Sequence, residues 1–312
     1  MIDAEAMQPV WRREDLLRAG VADAIQTAML NRGLLERLRH GVYVAAPLLA
    51  HADCRTRHRL DLAAAIGSCS APVWAVGPSA ALLRGMPMPV DVPTHLYLLR
   101  TGRQDLRSLT EPSQHRLTIP PTTTLSLLDA AAQAGPDCGG IPCVGWPSAA
   151  VTSAIHVPRD WQVALFDSAL WDGRATVEEL EAAIERWRHL GGSRELLEAL
   201  ALSRPGAQTV LETLSRLALM AEGLPEPELQ VEFRDDEGLI GRVDMWWPGL
   251  RVIGEADGLL KYGSGDDVVR EKIREDRLRA LGFIVVRWTW REIMTSPETV
   301  ARRLRAAARL AA

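Results

Sequence analysis

The sequence predicts a mixed α+β protein with more than one domain. Its 312 residues exceed the usual size of a single domain. The first fifty residues show helix and hairpin patterns, and residues 204–312 alternate helix and strand patterns around a cluster of acidic side chains. We predict domains at residues 1–50, 51–203 and 204–312, with a middle region of α/β character that becomes mostly helical in its second half.

Composition and the absence of targeting patterns predict a cytoplasmic protein. The chain is 47% hydrophobic and 24% charged, as expected for a globular protein. Its first residues, MIDAEAMQPVWRRED, contain no basic region followed by an apolar stretch, and no run of about 18 apolar residues occurs. We therefore expect no membrane partner.

The first fifty residues predict a DNA-binding element. Two helix patterns, the second over residues 22–32, precede LLERLRHGVYVA, which alternates as a strand pair turning at His40-Gly41. This is the order of a winged helix-turn-helix, whose second helix enters the major groove. A protein-binding role stays open, because the segment holds six basic and six acidic residues. The candidate DNA contacts are Gln26, Thr27, Asn31, Arg32, Arg37 and Arg39.

A resemblance to a known family agrees with this prediction. The pattern LLRAGV...AIQTAMLNRGLLERLRHGVYV resembles the amino-terminal domain of AbiE-type abortive-infection antitoxins, and GPSAALLRGMP at 77–87 resembles the start of that family's second domain. The resemblance implies a repressor that binds operator DNA, with a cognate toxin or a second copy of itself as partner, in phage defence.

Residues 51–203 show no catalytic constellation. HLYLLR at 95–100 predicts a strand, TTTLSLLDAAAQA at 122–134 a capped helix, and the Gly- and Pro-rich stretch 135–158 an irregular connection. Successive helices are predicted between 161 and 202. Cys138 and Cys143 form the one close cysteine pair, and without a neighbouring histidine they favour ordinary reduced thiols over a zinc site.

Charge is distributed unevenly towards the carboxyl terminus. Residues 212–269 hold 13 acidic and 5 basic residues, whereas residues 270–312 hold 11 basic and 5 acidic residues. A nuclease needs carboxylates for a metal ion and cations for phosphate, but two amphipathic surface helices would give the same distribution.

A hairpin in the acidic region predicts a metal site. LIGRVDMWW and LRVIGEA are joined by Pro248-Gly249, a pair suited to a type II turn. If Trp247 faces Leu250, Asp244 lies opposite Ile253, with Glu255 and Asp257 further along the same face. Oxygen ligands favour Mg²⁺ or Mn²⁺. Alternatively, Asp244 pairs with a nearby arginine and the other acids are exposed.

The elements around the hairpin complete a recognisable order. Residues 209–221 predict an amphipathic helix, 267–281 a second helix ended by Gly282, and FIVVRWTW a final strand. Trp288 and Trp290 share a face with apolar neighbours, which favours core packing over base stacking. Helix, strand, strand, helix, strand is the order of a restriction-endonuclease-like core.

The residues themselves also carry a resemblance. VDMWWPGLRVIGEADG...REKIREDRLRALGFIVVRWTW resembles the PD-(D/E)XK nuclease superfamily, near the very-short-patch-repair endonucleases. The resemblance implies Mg²⁺-dependent hydrolysis of DNA, with Asp244 and Glu255 as metal ligands and Glu212 as a further ligand or orienting residue. Without the family, Glu212 would be an exposed glutamate paired with Arg216 one helical turn later.

One position departs from the superfamily pattern. Asp257 stands where the motif has lysine, and the chemistry needs a cation near the attacked phosphate. The chain holds 34 arginines and two lysines, and both lysines, Lys261 and Lys272, follow Glu255 within 17 residues. Either could supply the charge, with Asp257 as an extra ligand. The alternative is an antitoxin-like repressor whose nuclease fold is inactive, or a scaffold for protein contacts.

Overall fold

The computed structural model of the chain describes residues 10–101, 122–127, 129–257 and 265–311. Over these residues the protein is a mixed α+β structure, as the sequence predicts. Within the same ranges, no helix combines the length and apolar character needed to cross a membrane.

The strands are β1 Trp11–Arg12, β2 Leu35–Arg39, β3 Val42–Ala45, β4 Val73–Ala75, β5 Leu96–Thr101, β6 Thr122–Leu127, β7 Glu228–Asp235, β8 Gly238–Trp247, β9 Val252–Asp257 and β10 Ile284–Thr289. The α-helices are α1 Arg13–Arg18, α2 Asp23–Asn31, α3 Ala46–Ala50, α4 Cys54–Gly67, α5 Gly77–Arg84, α6 Trp146–Ala154, α7 Arg159–Leu170, α8 Val177–Arg186, α9 Ser193–Ala201, α10 Val210–Ala221, α11 Gly265–Ala280, α12 Trp290–Thr295 and α13 Pro297–Ala311.

The chain divides into two compact units. The first comprises residues 1–158 and 175–198, and the second comprises residues 159–174 and 199–312. Helix α7, which the sequence places in the middle region, therefore packs with the carboxyl-terminal elements.

The first unit begins with the predicted order of two helices and a hairpin. Strand β3 pairs antiparallel with β2 on one side and with β1 on the other. The turn at His40-Gly41 is confirmed, with Gly41 at a φ of 68°. Helix α4 closes this sheet, because its Leu60 and Ala64 form a small core with Leu38 of β2 and with β3.

Two predictions in the middle of the chain are wrong. The threonine run does not start a helix, because Thr122–Leu127 forms β6, parallel to β5; β-branched side chains favour a strand once a partner strand is present. The stretch predicted as an irregular connection contains the buried helix α6, which begins at Trp146-Pro147. Proline at the first helical turn is a regular helix start, and alanine and serine fill the helix after it.

His58 of α4 lies in a buried hydrogen-bonded position of the first unit. Its Nε2 is 3.0 Å from Ser79 Oγ. Ser79 Oγ accepts a hydrogen bond from the backbone N–H of Tyr97 at 3.0 Å, which leaves the hydroxyl proton available. The Ser79 hydroxyl can thus donate to a neutral imidazole, whose other nitrogen reaches the backbone of Pro93. Burial lowers the pKa of His58 to about 4.

The second unit contains the sheet β10-β9-β8-β7. Strand β10 runs parallel to β9, while the β9–β8 and β8–β7 pairs are antiparallel. The sequence does not predict β7, because Pro225 and Pro227 in GLPEPELQ indicate a loop. Strand β7 lies at the edge of the sheet, where a preceding proline and charged side chains are tolerated.

Gly254 allows two tryptophans to pack against the middle of this sheet. A Cβ at residue 254 would lie 2.5 Å from the Trp288 ring and 2.7 Å from the Trp247 ring. The Trp288 indole donates to Ser215 Oγ of α10 at 2.7 Å. The close approach at Gly254 therefore fixes α10 against the strand that carries Glu255, and the prediction of core packing for Trp288 is confirmed.

A buried ion pair joins α7 to α10. Arg216 is fully buried and donates to Asp167 Oδ2 at 3.1 Å and to Glu226 Oε1 at 3.3 Å. Thr213 donates to the same oxygen of Asp167 at 2.8 Å. Arg216 therefore forms its ion pairs with Asp167 and Glu226, and the predicted pair with Glu212 is absent among the described contacts.

Acid should destabilise the protein through His58. The pKa of His58 is near 6.5 in the unfolded chain and about 4 in the folded one. The unfolded state therefore binds the proton more tightly, and the native state loses stability as pH falls through this interval. We expect His58→Gln to remove about 2 to 3 kcal/mol of the pH dependence of the unfolding free energy. Urea unfolding between pH 7.5 and 4 measures this dependence, with His51→Gln, at an exposed histidine, as the matched control. An unchanged slope in His58→Gln would contradict the expectation.

Candidate active site

The carboxylates predicted for catalysis meet where β8 and β9 pair beside α10. The expected register is wrong by two residues: Trp247 pairs with Val252, and Met245 pairs with Gly254. The connection is longer than a two-residue turn, since a 3-10 turn at Pro248–Leu250 is followed by Arg251 at a φ of 53°. A shift of two residues preserves the face of each side chain. Asp244 and Glu255 are thus the next residues on the two strands.

Glu212 is buried instead of exposed. It lies in the first turn of α10, is 4% exposed, and follows the N-cap residue Thr209. Its carboxylate accepts hydrogen bonds from Thr209 Oγ1 at 2.9 Å, from the backbone N–H of Gln208 at 3.0 Å and from Gln230 Nε2 at 2.8 Å. These donors hold the Glu212 carboxylate in one orientation.

Gln230 reaches Glu212 from a strained position in β7. Its φ is 54°, in the left-handed region that a glutamine rarely adopts. Leu229 and Val231 pair with Met245 and Val243 of β8, so Gln230 lies beside Asp244. Such a conformation costs about 1 to 3 kcal/mol and persists when surrounding contacts enforce it. The backbone of β7 is thus bent at the residue that orients Glu212.

Asp244 is the most electrostatically perturbed carboxylate of the cluster. Burial raises its pKa to about 6, and the negative charges of Glu212 and Glu255 add to the effect. A hydrogen bond from the backbone N–H of Ala256 to Asp244 Oδ2, at 2.9 Å, and the charge of Arg274 act in the opposite direction. The ionised form of Asp244 is therefore destabilised by burial first and by the neighbouring carboxylates second.

Glu255 lies between two arginines. Arg274 of α11 is 2.7 Å from Glu255 Oε1, and Arg287 Nε of β10 donates to Glu255 Oε2 at 2.9 Å. The parallel register places Arg287 directly beside Glu255. Arg287 also contacts Glu271 and Glu275 of α11. Although burial acts against its charged form, the carboxylates of Glu255 and Glu275 raise the pKa of Arg287.

Lys272 is not the residue of α11 that contacts Glu255. Lys272 is exposed on α11, and Arg274, two residues later, makes the contact with Glu255. Lys261 lies outside the described residues. Asp257 is partly exposed at the end of β9, beside Thr289 of β10. Among the described residues, the cations that contact the carboxylate cluster are thus arginines.

The carboxylates suit a hard divalent cation in chemical type. Among the described side chains, however, no group of three or more His, Cys, Asp or Glu is arranged to hold a metal ion. Asp244 carries the destabilised negative charge that such a cation would neutralise. Glu212 already accepts a hydrogen bond from Gln230, and Glu255 accepts one from Arg287 and forms an ion pair with Arg274. Ion binding would therefore require Glu255 to exchange part of its arginine contacts.

The predicted DNA contacts of α2 fall into two groups. Gln26 is 3% exposed and its Nε2 donates to the backbone carbonyl of Val21 at 2.8 Å, so the prediction that Gln26 reaches DNA is wrong. Its side-chain amide instead stabilises the segment between α1 and α2 through this hydrogen bond. Thr27, Asn31 and Arg32 are exposed, and the Thr27 hydroxyl donates to the backbone carbonyl of Asp23.

The two hairpin arginines also differ from each other. Arg37 is partly exposed and its guanidinium lies 5.9 Å from the centre of the Tyr43 ring. Arg39 turns inward, with one nitrogen 3.4 Å from Thr122 Oγ1, and burial lowers its pKa. The guanidinium of Arg39 thus extends into the first unit towards β6.

Sequence reasoning missed Gln230, Arg274 and Arg287. Gln230 lies in the strand that the sequence does not predict, and nothing distinguishes Arg274 among 34 arginines. A signal existed only for Arg287: FIVVRWTW is an apolar strand, and its single charge falls beside Glu255 once β9 and β10 are aligned in parallel.

Replacing Asp244 by asparagine should stabilise the metal-free protein above pH 6. The pKa of Asp244 rises from 3.8 to about 6 on folding, so the native state binds a proton more tightly and loses stability as pH rises through this interval. We expect Asp244→Asn to be more stable than wild type by about 2 kcal/mol at pH 7.5, with the difference vanishing near pH 4. Urea unfolding in a chelator measures it, with exposed Asp236→Asn as control. A destabilised variant at pH 7.5 would contradict this reasoning.

No family model matches the chain. Over 159 residues, 51% of its length, the chain is 28% identical to uncharacterized protein MT2308 of Mycobacterium tuberculosis (strain CDC 1551 / Oshkosh). It is similar to the same extent to uncharacterized protein Rv2248 of strain ATCC 25618 / H37Rv. The aligned part spans 58% of each relative, little more than half the length of these curated proteins. Because both relatives are uncharacterized, the similarity supports no particular function.

Proposed function

We propose that the protein binds DNA and hydrolyses its phosphodiester bonds with Mg²⁺ or Mn²⁺. The observation that carries this proposal is the meeting of Asp244, Glu255 and Glu212 at the β8–β9 pair, where burial and like charges raise the pKa of Asp244 to about 6. Carboxylates with a pKa perturbed by burial and like charge are enriched at sites that bind a cation or take part in a reaction.

The order of elements supports a PD-(D/E)XK-like core. Helix α10 precedes β7, β8 and β9, and α11 connects β9 to the parallel strand β10. Asp244 and Glu255 lie on the two central strands, and Glu212 lies on the preceding helix. These are the elements on which the resemblance expects metal ligands and the orienting glutamate.

Each residue has a distinct role in this proposal. Asp244, Glu255 and Asp257 would hold the ion, which when bound stabilises charge on phosphate and lowers the pKa of a water molecule. Glu212, fixed by Gln230, orients the cluster. Arg274, in contact with Glu255, supplies positive charge near the attacked phosphate in place of the motif lysine. Lys272 remains a second candidate for this charge.

The first unit would deliver DNA in this proposal. Helix α2 and the β2–β3 hairpin would act as a winged helix, with Asn31 exposed in the last turn of α2, Arg32 exposed at its C-cap and Arg37 partly exposed on the hairpin. Thr27 remains a further candidate. The DNA is then bound by one unit and cut by the other.

A second candidate is an antitoxin-like repressor with an inactive nuclease fold. The observation that favours it is the pair of arginines that neutralise Glu255, together with Asp257 at the lysine position. In that case the protein would bind operator DNA as a homodimer or with a cognate toxin, and the carboxylate cluster would be structural.

Cleavage of supercoiled plasmid distinguishes the two candidates. With Mg²⁺ or Mn²⁺, wild type should nick or linearise the plasmid, and Asp244→Asn and Glu255→Gln should each slow the reaction about 100-fold or more, because each loses a carboxylate that binds the ion. Exposed Asp236→Asn should cleave as wild type does.

The possible outcomes separate clearly. Equal cleavage by wild type and both site variants would indicate a contaminating nuclease and contradict the proposal. Absence of cleavage by wild type, with DNA binding retained, would support the repressor. Thermal unfolding of each variant excludes loss of the fold as the cause.

DNA binding can be tested on the whole chain in a chelator. In a gel shift, Arg32→Ala should weaken binding about tenfold, since an exposed arginine of the recognition helix loses its phosphate or base contact. Affinity should also fall as salt rises. Arg18→Ala removes an exposed arginine of α1 that pairs with Asp15, and should leave binding unchanged. Equal losses for both variants would point to unspecific attraction of positive charge.

A further inference from the structure

The segment PDCGGIPC folds into a tight hairpin turn that brings two cysteines together. Gly139 and Gly140 have φ values of 61° and 75°, the conformation of a two-residue hairpin turn. The backbone N–H of Cys138 donates to the carbonyl of Ile141 at 3.0 Å, and the reverse bond measures 3.4 Å. Cys143, two residues beyond Ile141, lies on the same face of the hairpin as Cys138.

Backbone contacts fix the second cysteine. The N–H of Gly135 donates to the Cys143 carbonyl at 2.9 Å, and Ala75 N–H donates to Pro142 at 2.8 Å. Cys143 is fully buried, whereas Cys138 is partly exposed. The two thiols interact electrostatically with each other, and Cys138 Sγ lies 4.0 Å from the carbonyl oxygen of Pro136. The pair therefore has one sulfur accessible to a reagent and a second sulfur held behind it.

Two arginines lie against this turn. Arg84 donates to the carbonyl of Val144 at 2.8 Å and to that of Pro136 at 3.2 Å. Arg59 approaches so closely that a Cβ at Gly139 would be 2.6 Å from its guanidinium. Positive charge beside a thiol favours the thiolate, which is the reactive form of cysteine.

The two thiols differ in acidity. The neighbouring Cys143 thiol, aided by the positive charges of Arg84 and Arg59, lowers the pKa of Cys138 to about 6. The proximity of Cys138 and burial raise the pKa of Cys143. Burial also raises the pKa of Cys69, and Cys54 is exposed on α4.

We propose that Cys138 and Cys143 form a reversible dithiol–disulfide site that reacts with peroxides. The Cys138 thiol first releases its proton to solvent, and the thiolate attacks a peroxide oxygen, so that an S–O bond forms, the O–O bond breaks and the departing hydroxide takes up a proton from solvent as water. Cys143 sulfur then attacks Cys138 sulfur; the S–S bond forms, the S–O bond breaks, and the departing hydroxide takes the Cys143 proton as water. Two thiols are oxidised, and one hydrogen peroxide is reduced to two water molecules.

The reaction can be followed by mass spectrometry of the reduced whole chain. After one equivalent of hydrogen peroxide at pH 7 and alkylation, the peptide that contains both cysteines should lose two hydrogen atoms and resist iodoacetamide, and dithiothreitol should reverse both changes. Without peroxide, iodoacetamide should modify Cys138 about tenfold faster than exposed Cys54. Cys54→Ser should form the disulfide at an unchanged rate.

Two variants test the separate steps. In Cys143→Ser the reaction should stop at a sulfenic acid on Cys138, which dimedone traps. In Cys138→Ser no disulfide should form. If the peroxide-treated wild type links other cysteines or none, or if Cys54 reacts as fast as Cys138, the proposal is wrong; these measurements on the wild type stand even if a variant does not fold.

Discussion

Negative charge buried between β8, β9 and α10 is the constraint on which the second unit depends. Burial of a carboxylate without compensation is strongly unfavourable. Among the described residues, each member of the cluster is compensated differently: Glu212 by neutral donors, Asp244 by a backbone N–H and the charge of Arg274, and Glu255 by two arginines. Compensation is least complete at Asp244, where the pKa is raised. Asp244 is therefore where a cation, a proton or a substrate group would bind most favourably.

The same constraint explains why a tightly packed glycine, Gly254, and a charged candidate site residue, Glu255, are neighbours along β9. Gly254 accepts the rings of Trp247 and Trp288, and the following residue, Glu255, faces Arg274 and Arg287. Rigid packing on one side of the strand keeps the carboxylate in place on the other. Hydrogen bonds add to this positioning in the second unit. Gln230 donates to Glu212, and Ser215 accepts a hydrogen bond from the Trp288 indole.

Much of the arrangement could be predicted from local patterns. Apolar periodicity predicts the β2–β3 and β8–β9 hairpins and helix α10, because each pattern depends on neighbours in the sequence. The errors occur where a distant partner decides. The threonines of β6 form a strand because β5 is available to pair, and β7 forms because β8 presents a free edge. The capping pattern favoured a helix at the first position, and the prolines favoured a loop at the second.

The sequence by itself determined which residue types were available: carboxylates at 212, 244 and 255, a glycine at 254, and a cysteine pair separated by Gly-Gly-Ile-Pro. Only the tertiary structure decided their environments. It buried Glu212, turned Gln26 and Arg39 inward, and assigned to Arg274 and Arg287 the contact that the rarity of lysine suggested for Lys272. The physical reason is that burial and charge compensation depend on which strands and helices become neighbours, and spacing along the chain does not encode this.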